Sequence, residues 1–201
     1  MVCIKEFHSA GFIRDCRIIY LEFMNVSPET PVFIIGYMAC GKTTFGRALA
    51  RAMDREFIDL DFYIEQRFRL SIRDIFSRKG EDEFRRMEAA MLREAGEFSN
   101  VVVACGGGTP CHASNMDYML GRGLTVWLQA SEERTVARLT ANNARRPLMA
   151  GKSEDEIRAA VREGLAARLP HYERAHIIFS GEELEDRRQI SRTVSAFLSL
   201  P

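Results

Sequence analysis

Lysine is scarce in this chain. Of the 28 basic residues only four are lysine (Lys5, Lys42, Lys79 and Lys152), and 28 acidic residues bring the formal net charge to zero. That balance leaves no electrostatic footprint for bulk nucleic acid or an anionic membrane. Long apolar runs are lacking too, since none approaches the roughly 20 residues that span a bilayer. Lys5, Glu6, Arg14, Asp15 and Arg17 interrupt the apolar positions of residues 1–23, which excludes a clean signal-peptide core. The five cysteines (Cys3, Cys16, Cys40, Cys105, Cys111) are odd in number and show no C-x-x-C spacing. That is the pattern of a reduced, cytoplasmic chain rather than of a disulfide framework. Cys111-His112 has no companions at metal-ligand spacing. An Asn-Lys-x-Asp guanine signature is missing as well, which counts against a GTPase switch.

What is present fits one globular domain: 201 residues, 46% of them hydrophobic and 28% charged. Five short segments rich in β-branched or aromatic residues read as strands: Val32–Ile35, Glu56–Leu60, Val101–Ala104, Leu124–Leu128 and His176–Phe179. The first, third and fourth are nearly continuous apolar runs, as in strands buried on both faces. Helical patterning lies between them, at Lys42–Met53, Asp82–Phe98 and Ser131–Thr140. Ser153-Glu154-Asp155-Glu156 reads as a capping box opening a helix to about Leu169, and Ser71 opens a shorter one ending near Gly80. Strands alternating with helices predict βαβ crossovers, an α/β class and a mostly parallel sheet. A single domain is expected over residues 24–201. Residues 1–23 form an extension, either a structured element or the product of a start codon upstream of Met24. The polar stretch Ala141–Lys152 is long for a helix–helix connection and is expected to be a functional loop.

Gly36-Tyr37-Met38-Ala39-Cys40-Gly41-Lys42-Thr43 fits G-x-x-x-x-G-K-[ST], with a strand before it and a helix after it. The chemistry needs these residue types. Gly36 and Gly41 let the backbone turn so that successive N–H groups face phosphate oxygens. The helix terminus adds its positive dipole end, Lys42 reaches the β- and γ-phosphates, and the Thr43 hydroxyl can ligand Mg²⁺. The strand Val101–Ala104 runs into Cys105-Gly106-Gly107-Gly108 without the carboxylate that often orients the metal there. Carboxylates follow the second strand instead, in Asp59-Leu60-Asp61, where an extended backbone predicts both on one side. One can hold a metal-bound water and the other can meet an acceptor hydroxyl.

Three further clusters lack an obvious structural purpose. Phe84-Arg85-Arg86-Met87-Glu88 places two arginines early in a helix, where they oppose its dipole. Gly106-Gly107-Gly108 ends an apolar strand and allows close backbone approach to a ligand. Arg145-Arg146-Pro147-Leu148 falls in the polar loop, and Arg168 is expected to close the helix that follows it.

In their order (P-loop, D-x-D, F-R-R-x-E, G-G-G, R-P-L, then Arg168-Leu169-Pro170-His171-Tyr172) these motifs resemble the shikimate kinase family over about residues 32–198. The resemblance implies a three-layer P-loop kinase fold: a five-stranded parallel sheet of order 2-3-1-4-5 flanked by helices, with a lid at about 141–155. It also implies transfer of the γ-phosphate of ATP to the 3-hydroxyl of shikimate, on the way to chorismate and the aromatic amino acids. Lys42, Asp61 and Arg146 would be catalytic. Ala39, Cys40, Gly41, Lys42, Thr43, Thr44, Arg138 and Arg146 would bind ATP. Asp61, Arg85, Gly107 and Arg168 would bind shikimate, and Thr43 and Asp59 would hold Mg²⁺. The expected partners are ATP and shikimate alone, with the chain acting as a monomer. Two departures stand out. Ala39 replaces a glycine common in this P-loop, and its methyl fits if φ stays below zero. At the adenine end an arginine often found seven residues before the lid arginine is Leu139 here, with Arg138 beside it, and Gly181-Glu182-Glu183-Leu184-Glu185 stands where a basic residue is common. A gluconate-type kinase and a catalytically silent nucleotide-binding module are the alternatives.

Overall fold

The computed structural model describes residues 27, 30–141 and 151–200. The extension 1–23, and Arg145, Arg146, Pro147 and Leu148 of the expected lid, lie outside the described residues. The chain runs β1 (Val32–Ile35), α1 (Lys42–Ala52), β2 (Glu56–Asp59), α2 (Leu60–Phe68), α3 (Ile72–Gly96), β3 (Val101–Ala104), α4 (Asn115–Arg122), β4 (Leu124–Gln129), α5 (Glu132–Ala141), α6 (Glu154–Tyr172), β5 (Ile177–Ser180) and α7 (Arg187–Leu198). A 3₁₀ turn at Thr109–Cys111 sits between β3 and α4. The strands form one all-parallel sheet of order β2-β3-β1-β4-β5, as expected. Among the described residues no helix is long and apolar enough to cross a membrane.

The β1 and β3 side chains are buried on both faces of the sheet, which is why they read as unbroken apolar runs. Alternation sends Phe33, Ile35, Val101, Val103 and Trp127 into one core layer with α3 and α6. Val32, Ile34, Val102, Val126 and Leu128 enter the opposite layer with Phe45 and Phe197. Burying each large apolar side chain contributes about 1.5–3 kcal/mol. This two-sided core holds the carboxyl ends of β1, β2 and β3 at one rim. In an open parallel sheet that rim, beside the point where strand order reverses, is where ligands bind.

Three helices were not expected: α2, α4 and α7. The first of these overturns the reading of Asp59 and Asp61 as neighbours on an extended strand. β2 stops at Asp59, whose side chain accepts the Phe62 N–H and so becomes the N-cap of α2, with Asp61 in the first turn. A second correction concerns Arg168. It does not close its helix, because α6 continues through Pro170 to Tyr172. The expected break near Gly80 is present as a kink in α3 (φ 78°, ψ 173°).

Candidate active site

The register pairs Asp59 with Ala104 and Ile34 with both Ala104 and Val126. The loops after β1, β2 and β3 therefore meet at one cleft of about 460 Å³, lined among others by Lys42, Thr43, Asp59, Asp61, Gly106 and Gly107. Gly41 precedes α1 at φ 104°, a left-handed conformation that glycine adopts without a Cβ penalty. Among the described residues no side chain caps this helix start and no acidic residue occupies its first turn. The first-turn N–H groups, which have no partners within the helix, are available to an anion. Lys42 Nζ folds back over the loop and donates to the carbonyls of Gly36 (2.8 Å) and Tyr37 (2.9 Å). A phosphate can exchange for those two carbonyls.

Ala39 corrects an expectation. Its φ is 62°, so the methyl stands in the left-handed region, where an L-residue costs roughly 1–2 kcal/mol. Arg138 supports the strained loop from outside. One guanidinium nitrogen donates to Ala39 O (3.3 Å) and Cys40 O (3.1 Å). The other donates to Gly181 O (2.9 Å) and Glu182 O (3.1 Å) and meets Glu185 Oε1 at 2.8 Å. The carbonyls of residues 39 and 40 thus face Arg138, which keeps those peptides in a set orientation. Leu139 is fully buried and does not reach the cleft. Leu184 and Glu185, from the acidic stretch that stands where a basic residue is common, line the cleft beside Arg138.

Thr43 donates its hydroxyl to Asp59 Oδ2 at 2.8 Å. A hydroxyl and a carboxylate are hard oxygen donors. Two protein oxygens fit Mg²⁺, which keeps several waters and takes its other ligands from substrate phosphates. Among the described residues no group of three or more His, Cys, Asp or Glu gathers as an all-protein metal cage. Asp61 opens to the cleft but is crowded by protein. Desolvation first and the Asp59 charge second push its pKa up to about 6, against the pull of Lys42.

Close approach is tight at Gly106, where a Cβ would stand 2.9 Å from Asp61 Oδ1; at Gly107 a Cβ would make ordinary contact, 3.5 Å from both Gly36 O and Met38 N. Beyond them lie Arg85 and Arg168, the two arginines expected to meet the acceptor. Arg85 sits 3.1 Å from the Cβ that Gly108 lacks. It is held by Glu88 (2.9 Å) and Glu81 (3.0 Å), the anions that offset its position early in the segment after the Gly80 kink. Arg168 donates to Gly164 O (2.7 Å) and lies 5.3 Å from the Tyr37 ring centre. Both arginines draw down the Cys111 thiol pKa, although burial outweighs them and raises it.

The cleft thus gathers Ala39, Gly41, Lys42, Thr43, Thr44, Asp59, Asp61, Gly107 and Arg138. Arg85 and Arg168 are not among its lining residues; Arg85 lies beside Gly108 and Arg168 beside the Tyr37 ring. Cys40 is buried behind the loop, so only its backbone can serve a nucleotide. Sequence reasoning named Glu88 within F-R-R-x-E but gave it no role; it is 1% exposed and receives the Thr109 hydroxyl at 2.6 Å while holding Arg85. Its spacing three residues after Arg85 was the available signal. It also missed the Tyr37 side chain and Leu184, for which no local pattern exists.

A parallel sheet of this order with a phosphate cradle after β1 and a cleft at the carboxyl ends of its strands defines a P-loop kinase fold. The shikimate kinase family model matches residues 38–199. A shikimate kinase of Phocaeicola vulgatus is 46% identical over 167 residues, covering 83% of this chain and 95% of its own. The crystal structure of shikimate kinase from Bacteroides thetaiotaomicron superposes with a TM-score of 0.81 at 42% identity, covering 84% of this chain and 96% of that one. The enzyme from Acinetobacter baumannii, solved in complex with shikimate, gives 0.72 at 30% identity over 84% of this chain and 90% of its own. This chain belongs to the shikimate kinase family.

Proposed function

We infer that the protein transfers the γ-phosphate of ATP to the 3-hydroxyl of shikimate. The observation that carries this reading is the convergence of Lys42, Thr43, Asp59, Asp61 and the Gly106-Gly107 backbone on one cleft, beside Arg85 and Arg168. A triphosphate along α1 takes Lys42 Nζ from the Gly36 and Tyr37 carbonyls, and the open N–H groups bind its oxygens. Thr43 and Asp59 would hold Mg²⁺, Asp59 through water, and the ion would supply charge neutralisation at the phosphates.

On the acceptor side, Arg85 and Arg168 grip the carboxylate, each charge-assisted hydrogen bond contributing about 1.5–3 kcal/mol. The Gly107 backbone borders the ring. Asp61 accepts a hydrogen bond from the attacking hydroxyl and takes its proton as the bond to phosphorus forms. Its raised pKa brings it nearer the working pH, as suits a general base. Because the phosphoryl transition state is loose, holding the hydroxyl in line outweighs base strength. Arg146 completes the set by placing a positive charge on the transferring phosphates. The protein acts as a monomer in the cytoplasm on this reading, where Cys40, Cys105 and Cys111 are free thiols.

The test is a coupled ADP-release assay with Mg·ATP alone, with shikimate, and with gluconate as the control acceptor. Turnover that depends on shikimate and not on gluconate is the expected result. ATP binding without shikimate-dependent ADP release overturns the reading.

A further inference from the structure

We propose that the side chain of Tyr37, although it belongs to the P-loop, is a positioning residue for the acceptor: it aims Arg168 and does not serve the nucleotide. The inference rests on the reading of Arg168 as a grip for the acceptor carboxylate.

The Tyr37 backbone takes part in the cradle, where its carbonyl receives Lys42. Its side chain leaves the cradle and buries itself against α6, with 4% of its surface exposed. The hydroxyl donates to Ala160 O at 3.3 Å. One helical turn further on, a Cβ at Gly164 would collide with that same hydroxyl, so α6 is open to the phenol at that point. The next turn brings Arg168, whose guanidinium carbon lies 5.3 Å from the ring centre while one edge donates to Gly164 O. Three successive turns of α6 are therefore shaped around one P-loop side chain.

The two acceptor-side arginines are held by opposite means. Glu81 and Glu88 neutralise Arg85. Among the described residues no carboxylate pairs with Arg168, and an aromatic face holds it instead. A carboxylate partner competes with an incoming carboxylate for the same N–H groups. A ring face attracts the cation through its quadrupole and leaves those N–H groups to the ligand. Tyr37 can thus fix the direction of Arg168 without reducing its charge. The same P-loop stretch touches the rest of the acceptor border. Gly36 O and Met38 N pack on Gly107, and Tyr172 of α6 donates its hydroxyl to Gly107 O at 2.6 Å.

The experiment is steady-state kinetics of Tyr37→Leu, of Tyr37→Phe, and of pentafluorophenylalanine at position 37, which keeps the ring's shape and reverses its quadrupole. Tyr37→Leu and the fluorinated ring should raise the KM for shikimate about three- to thirtyfold, with the KM for Mg·ATP changed less than about twofold. Tyr37→Phe should restore the shikimate KM, since the ring face is kept. In an Arg168→Ala background neither Tyr37→Leu nor the fluorinated ring should raise it further. A rise in both KM values together, a rise that persists without Arg168, or a fluorinated ring that behaves like phenylalanine overturns the inference. The fluorinated ring keeps the test decisive if Tyr37→Leu does not fold. If Arg168→Ala alone leaves the shikimate KM unchanged, the carboxylate grip itself is wrong and this inference falls with it. If Arg168→Ala raises that KM and the Tyr37 variants do not, only this inference falls.

Discussion

Glu88 and Arg85 stand one helical turn apart, with 2.9 Å between Oε2 and Nη1, and the carboxylate of the pair is 1% exposed. Thr109 donates to the other oxygen of Glu88 at 2.6 Å, so a buried carboxylate joins the strand-end glycine loop to α3. Glu88→Gln keeps the shape but removes the charge that orients Arg85. It should cost about 1–3 kcal/mol of stability. It should also raise the KM for shikimate by about tenfold, the equivalent of about 1.4 kcal/mol. Urea melts and initial rates read the two effects separately. An unchanged shikimate KM would show that Glu81 alone suffices to set Arg85.

Ala39 predicts a gain on mutation. Ala39→Gly removes the left-handed penalty of roughly 1–2 kcal/mol and gives back about 0.4–1 kcal/mol to the greater freedom of the unfolded chain. A net stabilisation of up to about 1.6 kcal/mol, centred near about 0.8, is expected from those two values. The hydrogen bonds from Arg138 to Ala39 O and Cys40 O involve backbone only and can persist. Thermal melts check the gain, and destabilisation would contradict a left-handed residue 39.

Asp61 predicts opposite pH trends for rate and stability. Its folded pKa, near 6, lies above the ordinary carboxylate value. As pH falls through 6, the folded chain therefore takes up a proton before the unfolded chain does. Asp61 thus weighs against the folded state above about pH 6, and that cost disappears toward about pH 4. Asp61→Asn should raise the Tm by about 2–4 °C at pH 8, with the gain shrinking as pH falls toward 4. The same variant should lose most of its turnover. In the wild type, kcat/KM should fall on the acid side of pH 6 as the carboxylate becomes protonated. A Tm difference that is flat in pH would show that residue 61 does not titrate there.

The legible parts of the fold were those written in contiguous residues. β1 and β3 matched at both ends because both faces are buried and the apolar run is unbroken. The capping box at Ser153 is local and both of its hydrogen bonds are present. The helix α4 gave no such signal: its N-cap, Ser114, is left-handed at φ 54° and makes no side-chain cap. The signal for α7 was present and went unread, in Asp186 capping Arg188 and Gln189 and in the spacing of Ile190, Val194 and Phe197. Asp61 was misplaced because Asp59, the last residue of β2, also accepts the Phe62 N–H and so caps a helix that begins at Leu60.

The candidate site divides in the same way. Its P-loop is a run of eight residues and could be read directly. The partners that hold Arg85 from the glycine loop and Arg168 from the P-loop could not, since Thr109 lies 21 residues from Glu88 and Tyr37 lies 123 from Ala160. Contacts across such separations depend on the assembled sheet and leave no periodic trace in the chain.

The joint at Gly80 has a stereochemical consequence. Its φ of 78° and ψ of 173° mirror an extended conformation that ordinary residues adopt freely, and a Cβ placed there would meet nothing within 4 Å. The requirement at this position is thus one of handedness and not of room. An L-alanine would have to leave this conformation and change the angle between the segment bearing Phe76 and the segment bearing Arg85, whereas a D-alanine, introduced by chemical ligation, would fit the bend as it stands. The orientation of the segment bearing Arg85 therefore depends on one achiral centre at the bend.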